Sequence, residues 1–413
     1  PIRTLKTTVR WIIGIVLGLY IGIILLLNIP YVQHRMSVLV AKELSTVLGS
    51  ELTVGRINIG LLNRIIIDDL VLNDQSGKEL LKIGRLSAKF EILPLFSGKI
   101  SIGNVQLFSF NANLERPTPQ ASTNFQFVLD AFASKDTVKK KSNLDLRINS
   151  LLIRRGKVSY DVLSAESTPG KFNPQHIRLS NILANISLKA LQNDSVNAAI
   201  KRMSVEEEHS GFELKKLSLK IIANDRKMRI ENFAIDLPNT SLAMDTIRME
   251  YDSLESLGHF TDDVRFSFRM LPSEVALQDI SAFVPAFKPF KEKLKLEMEA
   301  AGTVNRLNCP KLLISSNDHF LLKGNVSLQD LSHPQDAYIF GNLSNLYADP
   351  DGIAFFVRNL SKDYKGVPPV LQNLGTVSFR GEISGYFTDL VTYGEVRTDI
   401  GTIKTDVKLS SDK

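Results

Sequence analysis

The feature that most constrains the fold of this chain is an apolar alternation that begins after Gly49 and returns as far as residue 383. Because successive side chains of a β-strand point to opposite faces, a period of two predicts strands with one apolar face. Residues 74–77, Asp-Gln-Ser-Gly, are typical of a turn between two such strands. The sequence therefore predicts a mainly β fold. Clear examples of the alternation are Ile57 and Ile59; Leu86, Ala88 and Phe90; Leu294, Leu296, Met298 and Ala300; and Val377, Phe379, Gly381 and Ile383.

A short pattern recurs within these strands: apolar-x-apolar, two mostly small polar residues, and again apolar-x-apolar. It occupies residues 65–72, 100–107 and 146–153, and returns more loosely at 177–184 and 228–235. The extra residue between the halves breaks the alternation, which predicts a β-bulge that bends each strand. A degenerate β-repeat of this kind favours an elongated, curled antiparallel sheet over a closed core.

The predicted sheet has few soluble helices to cover its apolar face. The main interruptions are a short helical turn at 124–134, a polar linker at 136–143 and an irregular Phe- and Pro-rich segment at 273–293. Either the sheet folds on itself as a sandwich, or its apolar face lines an open groove that holds something apolar. The side chains expected to line such a groove are Ile57, Ile59, Ile65, Ile67, Leu70, Leu72, Phe90, Ile100, Ile102, Val105, Leu107, Ile148 and Ile153.

The N-terminus carries a candidate membrane anchor. The stretch from Trp11 to Ile29 contains no charge and has about the length that a helix needs to cross a bilayer. A cleaved signal peptide would have a shorter apolar region and small residues at its end, which this stretch lacks. Three basic residues precede the stretch and fewer follow it, so the positive-inside rule predicts a cytoplasmic N-terminus. The basic residues before it are Arg3, Lys6 and Arg10, and those after it are Arg35 and Lys42.

Three glycines, Gly14, Gly18 and Gly22, recur at every fourth position of this stretch. Such spacing can form a close seam between membrane helices. Glycine is also common in membrane helices generally, and we favour that simpler interpretation.

Residues 31–49 predict a second, amphipathic helix that ends at Gly49. Its apolar stripe has two possible uses: it lies on the bilayer, or it caps the end of the sheet that follows. We favour the cap. The stripe comprises Val32, Met36, Leu39, Val40, Leu44, Val47 and Leu48.

Catalytic and metal-binding patterns are not recognisable in the sequence. The histidines have no metal-ligand spacing, and no phosphate loop, dinucleotide fingerprint or nucleophile elbow occurs. Asp68 and Asp69 occupy the polar slot of the repeat, where small polar residues are structurally favoured. The run Glu206-Glu207-Glu208 is typical of a solvated loop. We therefore expect neither an enzyme, nor a cofactor, nor a bound metal. The six histidines are His34, His176, His209, His259, His319 and His333.

The composition is that of a folded, mildly basic protein. Hydrophobic residues make up 44% of the chain and charged residues 23%, which excludes wholesale disorder. The net charge is +6, but the basic residues are scattered, so no nucleic-acid partner is expected. The single cysteine, Cys309, cannot form an intrachain disulfide.

The first third of the chain resembles the N-terminus of the AsmA-like family, and most closely its TamB-type members. The likeness is loose after residue 135, although residues 375–385 also resemble the repeated strands of this family. The residues that carry the resemblance are the anchor, 43–49 (ELSTVLG), 52–57 (LTVGRI), 67–74 (IDDLVLND), 96–102 (FSGKISI), and Asn124-Phe125.

The resemblance implies a bacterial inner-membrane protein whose long β-groove crosses the periplasm and conducts phospholipid acyl chains, as chorein-type lipid bridges do. It also implies an Omp85-type outer-membrane barrel partner, bound through a C-terminal domain. No such domain is recognisable before Lys413, so we expect the chain to be the membrane-proximal part of a longer protein.

These expectations divide the chain into an anchor at 1–30, a capping helix at 31–49, a first β-groove segment at 50–135, a linker at 136–143 and a continuing β-groove at 144–413. Three functions remain open. The first is a lipid conduit between the inner and outer membranes. The second is a scaffold that hands polypeptide strands to an outer-membrane barrel for insertion or secretion, and the third is a plain tether.

Overall fold

A computed structural model of the chain describes residues 2–60, 63–90, 100–132, 144–145, 149–192, 195–290, 292–333, 336–360, 366–386 and 389–410. The prediction of a mainly β protein with an N-terminal helix and a few short helices is confirmed, because 58% of the chain is strand and 20% is helix. The predicted linker at 136–143, including Lys139 to Lys141, and the groove residue Ile148 lie outside the described residues. The chain divides into two compact units, Pro1–Ser187 with Ser204–Gly211, and Leu188–Met203 with Phe212–Lys413.

The first unit begins with two helices and continues as a sheet. Strands β1 to β4 pair with their neighbours in antiparallel fashion, and β6 and β7 do the same. The helices are α1 (Ile2–Leu27), α2 (Pro30–Leu48) and α3 (Gln126–Phe132); the strands are β1 (Leu52–Gly60), β2 (Arg64–Asn73), β3 (Glu79–Phe90), β4 (Ile100–Arg116), β5 (Leu144–Asp145), β6 (Ser150–Val162) and β7 (His176–Gln192).

Two pairings depart from the predicted antiparallel sheet, because β4 pairs in parallel with both β5 and β6. Strand β4 pairs with β6 in parallel, so that Leu107 lies beside Ile153 and Ala112 beside Val158. A parallel pair requires a long crossover between its strands, and here the chain between β4 and β6 contains α3. Apolar and polar residues alternate in the same way in parallel and in antiparallel strands. The alternation therefore does not predict which of the two pairings a strand makes.

The second unit continues in chain order, and each strand from β9 to β19 pairs antiparallel with the next. The strands are β8 (Ser195–Glu207), which spans both units, then β9 (Phe212–Asn224), β10 (Lys227–Asp236), β11 (Ser241–Glu250), β12 (Arg265–Ala276), β13 (Lys293–Thr303), β14 (Arg306–Ser316), β15 (Phe320–Gln329), β16 (Tyr338–Ala348), β17 (Val377–Tyr386), β18 (Asp389–Thr398) and β19 (Gly401–Ser410). The helices are α4 (Phe260–Asp263), α5 (Pro350–Leu360) and α6 (Pro369–Gln372), and the 3-10 turns are Leu254–His259, Leu277–Ile280 and Pro285–Phe287.

A row of registered residues that we call the kink row crosses the strands of the first unit: Gly55, Asp69, Gly84, Ser109 and Arg155, of which Asp69, Ser109 and Arg155 are left-handed. Asp69, Ser109 and Arg155 have φ angles of 55°, 54° and 54°. The registers set these residues side by side across β1, β2, β3, β4 and β6. A Cβ on Gly55 would lie 3.0 Å from the Asp69 Cβ, and one on Gly84 would lie 3.3 Å from the Ser109 Cβ. In β1 and β3 the residue that closely faces a left-handed residue of the next strand is therefore glycine.

The predicted β-bulges are present in some copies of the repeat and absent in another. The register of β2 with β1 and β3 continues unshifted past Asp69, so the bulge interpretation of residues 65–72 is wrong, and a left-handed residue makes the bend instead. Register shifts do occur beside Gly103 in β4 and beside Asn232 in β10. In β6 the left-handed residue is Arg155, which lies after the predicted copy at 146–153.

The N-terminal helices agree with their sequence signals. Within α1, the window Arg10–Leu27 has a mean hydropathy of 2.3 and none of its residues is buried. It is the one described helix long and apolar enough to cross a membrane. Helix α2 packs against β1 and ends at Gly49, whose φ of 63° is left-handed and whose N–H donates to the Ser45 carbonyl oxygen.

Two local predictions differ in extent from the structure. The helical turn predicted at 124–134 is helix over Gln126–Phe132. The segment predicted to be irregular at 273–293 is narrower, because β12 continues to Ala276 and β13 begins at Lys293. The turn predicted at 74–77 is confirmed: the Asp74 carboxylate accepts hydrogen bonds from the N–H groups of Ser76 and Lys78, at 2.8 and 3.0 Å.

Candidate functional site: the apolar face of the sheet

The apolar side chains of the first unit form rows that run from strand to strand. Residues directly opposite each other in a ladder share a face, so the strand registers define these rows. Two rows lie on one side of the kink row and two on the other. The rows are Ile59, Ile65, Ala88, Val105, Leu151 and Ile186; Ile57, Ile67, Leu86, Leu107, Ile153 and Ala184; Val54, Leu70, Ile83, Phe110 and Ile182; and Leu52, Leu72, Leu81, Ala112, Val158 and Leu179.

In β2, β4 and β6 the left-handed residue of the kink row lets apolar side chains on its two sides share a face. Ile67 and Leu70 are three residues apart in β2 and would point to opposite faces of a regular strand. The left-handed residue Asp69 between them reverses the alternation, and the same two-residue interruption separates Leu107 from Phe110. In the third row Phe110 covers Gly156, where an added Cβ would lie 2.2 Å from the ring.

Most of the predicted groove residues lie in these rows. They are Ile57, Ile59, Ile65, Ile67, Leu70, Leu72, Val105, Leu107 and Ile153. Phe90 lies at the end of β3 opposite Ile102, beyond a register shift. Ile100 and Ile102 belong to β4, but their side chains are outside the description, as is the whole of Ile148. Sequence reasoning missed Ile83, Phe110, Ala112, Val158 and Ile182, which only the strand register brings into line.

One end of this apolar face is closed. Leu48 of α2 packs with Leu52, Leu72 and Leu80 in a buried cluster, against which Phe125 and other residues of and beside α3 also pack. Leu72 is 3% exposed. The amphipathic helix and α3 therefore form a lid over the fourth row.

The other end is more open. Ile59, Ile65, Leu86, Val105 and Leu107 are partly buried, whereas Ile57 and Ala184 of the second row are 4% and 3% exposed. Among the helices that the structure describes, none is part of a buried cluster with these residues. Partly buried apolar side chains in a continuous row form a surface that an apolar ligand would complete.

The opposite face of the same strands is polar. Arg56, Asp68 and Arg85 lie side by side across β1, β2 and β3. The Arg85 Nε donates to the Asp68 Oδ1 at 2.6 Å. Asp68 is thus in an ion pair and Asp69 in the kink row, so the adjacent carboxylates have structural roles. The opposite face is thus more polar than the registered apolar rows, and Phe108 continues the row of Arg85 on it.

The second unit repeats this organisation over more strands. Its strands also carry registered apolar rows, one of which is rich in glycine. The rows are Leu307, Leu328, Ile339, Gly385 and Leu390; Met298, Leu312, Gly324, Leu343, Gly381 and Gly394; and Leu296, Ile314, Leu322, Leu346, Phe379, Val396 and Ile403.

The glycines of the second row allow close approach of neighbouring strands. A Cβ on Gly381 would lie 2.2 Å from the Tyr393 carbonyl oxygen and 2.6 Å from the Gly394 Cα. A Cβ on Gly394 would lie 2.4 Å from the Arg380 carbonyl oxygen. The Phe379 ring covers both glycines, so the apolar surface continues where side chains are missing.

A cleft of about 800 Å³ is lined by β16 to β19, including Phe379, Gly381 and Gly394 of the apolar rows. It is lined chiefly by polar and charged side chains, and opposite charges face each other across the strands. Glu395 lies opposite Arg380 on one strand and Lys404 on the other. This charge balance is typical of a solvated sheet surface and does not favour one charged ligand.

The anchor end of the sheet is tied to α1 and α2 by side-chain amides. The Asn28 Nδ2 donates to the Ile59 carbonyl oxygen at 2.8 Å, and the Gln33 Nε2 donates to the Asn58 Oδ1 at 2.6 Å. Near the other end of β1 the Ser45 hydroxyl accepts from the Leu52 N–H at 2.9 Å. The outer edge of β1 is therefore occupied by side chains of the N-terminal helices.

Titratable groups outside the apolar face form local networks. Glu207, predicted to be solvated, is 2% exposed, so that prediction is wrong. Burial raises the pKa of Glu207, but hydrogen bonds from the Ser210 hydroxyl and from main-chain N–H groups outweigh it, and the pKa lies below 4.5. Burial raises the pKa of the Cys309 thiol, which makes it an unreactive core group.

One histidine has carboxylate neighbours that its sequence spacing does not reveal. The His319 Nδ1 lies 2.7 Å from the Asp349 Oδ2 and 4.0 Å from the Asp351 Oδ2. The hydrogen bond that the His319 ring donates to the Asp349 carboxylate raises the pKa of His319. Among the described residues this is the group whose ligand atoms lie close enough to share a metal ion, but Asp351 is 82% exposed at its side chain. Such a surface cluster is typical of an ion-paired loop.

No family model matches this sequence, no curated protein matches it, and no solved structure matches the fold. The resemblance to the AsmA-like family therefore rests on the residues quoted above. Function is argued from the geometry of the apolar face.

Proposed function

We propose that this protein is a membrane-anchored lipid conduit, in which phospholipid acyl chains lie along the apolar face of the sheet. The observation that carries the proposal is the set of registered apolar rows, which remain partly exposed over Ile59, Ile65, Leu86 and Leu107. A tether needs no such surface. In a tightly filled sandwich these side chains would be fully buried.

The physical basis is the transfer of acyl chains from water to an apolar surface. Burial contributes about 25 cal/mol per Å² of apolar area, or about 0.8 kcal/mol for each methylene. Because neighbouring rows offer equivalent apolar surface, a chain moves along the face without a large change in free energy. The headgroup stays in water at the open side, and no catalytic residue is needed.

The anchor supports a membrane location for this activity. Helix α1 has the length and composition of a membrane span, and Asn28 joins its end to the sheet. With Arg3, Lys6 and Arg10 before the span, the N-terminus lies in the cytoplasm and the sheet outside it. We propose the bacterial inner membrane and the periplasm as the two locations, on the resemblance to the AsmA-like family.

A second candidate function is a scaffold for polypeptide strands, and one observation favours it. Among the described strands β19 pairs only with β18, and Ile403 and Val407 are 63% and 42% exposed. An added strand would extend the sheet by main-chain hydrogen bonds. In the first unit, by contrast, the Asn28 and Ser45 side chains bond to main-chain groups at the edge of β1.

The conduit is tested by photo-crosslinking from the apolar face in intact membranes. A photoreactive amino acid at Leu107 should crosslink phospholipid, and the same residue at the neighbouring Gln106, on the polar face, should not. Mass spectrometry of the adducts identifies the lipid. Equal lipid adducts at both positions, or polypeptide adducts at Leu107, would reject the conduit.

A further inference from the structure

Helix α2 presents apolar side chains on two sides. Val32, Met36, Val40, Leu44 and Leu48 are buried or half-buried, as the predicted stripe requires. Leu39 and Val47 do not belong to that buried set, because they are 62% and 56% exposed. The prediction that they share the capping stripe is therefore wrong, and their exposure needs another explanation.

Leu39 belongs to an outward surface that we call the α2 face, which comprises Tyr31, Arg35, Val38, Leu39 and Lys42. Tyr31, Val38 and Leu39 are 66%, 52% and 62% exposed. The Arg35 guanidinium lies 5.5 Å from the centre of the Tyr31 ring, and its Nε donates to the Tyr31 hydroxyl at 3.2 Å. Among the described residues neither Arg35 nor Lys42 has a carboxylate within ion-pair distance. The α2 face thus combines exposed apolar groups, an aromatic hydroxyl and uncompensated positive charge.

The buried residues on the opposite side of α2 fix the rotation of the helix, and with it the outward direction of the α2 face. Gln33 is 8% exposed and bonded to Asn58, and Ser37 is 1% exposed. Rotation of α2 to bury Leu39 would break these contacts. Only Asn28 and Ile29 separate α1 from α2, and Ile29 is itself 47% exposed. The apolar surface of the span therefore continues directly into the α2 face.

We propose that the α2 face docks on the headgroup region of the bilayer that α1 crosses, with a preference for anionic phospholipid. Apolar side chains with flanking lysine and arginine are the combination that binds a helix to a membrane surface. Tyrosine prefers the same interface, and each cation gains from anionic lipid. This inference rests on the proposed anchoring by α1, but it does not depend on lipid transport along the sheet.

Nitroxide depth measurements on the full chain in nanodiscs test the docking. The only native cysteine, Cys309, is 3% exposed, so a label introduced by Leu39→Cys is selective. The label at Leu39 should collide with oxygen more than with a water-soluble nickel chelate, as a group in the interface does. The matched control is Leu163→Cys, which is 59% exposed in the same unit and should be fully accessible to nickel. Equal nickel accessibility at both positions would overturn the proposal, as would a label at Leu39 shielded from both reagents by protein.

A second arm tests the lipid preference. In nanodiscs with phosphatidylglycerol the label at Leu39 should be deeper than in phosphatidylcholine alone, and the double variant Arg35→Glu/Lys42→Glu should lose this difference. A depth that does not respond to lipid charge would reject the preference. A label introduced by Leu19→Cys reports the position of α1 separately. If the label at Leu19 lies in the bilayer core and the label at Leu39 lies in water, α1 crosses the membrane but the docking of the α2 face is rejected.

Discussion

Asn28, the first residue after the apolar helix, donates a hydrogen bond to the main-chain carbonyl oxygen of Ile59 in the first strand, at 2.8 Å. The same Nδ2 also donates to the Ile24 carbonyl oxygen at 2.8 Å, so one side chain joins the last turn of α1 to the sheet. Gln33 extends this contact by donating to Asn58 and Asn28. Two side-chain amides therefore join α1 and α2 to the first strand of the sheet.

Removal of these amides should loosen the first strand. We expect Asn28→Ala with Gln33→Ala to remove the hydrogen bonds to the Ile59 carbonyl oxygen and to the Asn58 Oδ1, at a cost of about 1 kcal/mol for each lost bond. Hydrogen exchange of peptides from β1 should accelerate, whereas peptides from β17 and β18 should not change. His34→Ala, on the exposed side of α2, is the control. Unchanged exchange in β1 would mean that the amides do not hold the sheet to the anchor.

The glycines in the second apolar row of the second unit should not tolerate a side chain. A Cβ at Gly381 meets main-chain atoms, which cannot rotate away, so Gly381→Ala should destabilise the unit by about 1–3 kcal/mol. Gly258→Ala is a suitable control, because nothing lies within 4 Å of its added Cβ. Thermal unfolding of the two variants measures the difference. Equal melting temperatures would show that β17 and β18 can separate at no cost.

Glu207 should make the stability of the first unit dependent on pH in the acid range. Its folded pKa lies below the unfolded value of 4.5, so its contribution is complete above pH 4.5 and is lost as pH falls through the folded pKa. Glu207→Gln should therefore reduce the free energy of unfolding at pH 7 by about 1–2 kcal/mol, and the difference from wild type should shrink near pH 3. A constant difference between pH 7 and pH 3 would assign the effect to packing.

The orientation of the chain is testable at the first hairpin. The proposed topology places residues 74–77 outside the cytoplasm. Asp74 is a poor labelling position, because its carboxylate accepts the hydrogen bonds that close the turn, whereas Gln75 is exposed. Gln75→Cys should react with a membrane-impermeant thiol reagent in intact spheroplasts, and Thr8→Cys only after lysis. The reverse pattern would invert the topology.

The strands were predictable because alternation is a local signal. Ile57, Ile59, Leu86 and Ala88 alternate in the sequence and lie in strands of the structure. The loop at Asp74 was equally predictable, since its residues satisfy the turn by their own hydrogen bonds. What alternation cannot give is the partner of each strand, and the parallel pairing of β4 with β6 was therefore missed.

The positions of the left-handed residues could be predicted from the sequence only in part. Asp69 lies in the polar slot of a repeat, and Asp and Asn tolerate the left-handed region, so a bend there was predictable. Ser109 and Arg155 give no such signal, because neighbouring strands impose their conformation. The outward direction of Leu39 was missed for a similar reason: its helical spacing fits the stripe, and only the bond from Gln33 to Asn58 and the burial of Ser37 fix the rotation of α2.

The central claim is that the registered apolar face holds acyl chains, and a charge placed in it tests this most directly. Leu107 lies between Leu86 and Ile153 in the second row and is only half-buried. In an open groove the carboxylate of Leu107→Asp reaches water, whereas in a filled core it would be buried without a partner and unfold the unit. Gln106→Asp, on the polar face of the same strand, is the matched control.

The measurement is lipid crosslinking from a photoreactive residue at Val105, made together with thermal unfolding of each variant. The conduit predicts that Leu107→Asp keeps a folded protein and loses the lipid adducts, while Gln106→Asp keeps both. A folded Leu107→Asp variant with unchanged lipid adducts, or a variant that does not fold, would contradict it.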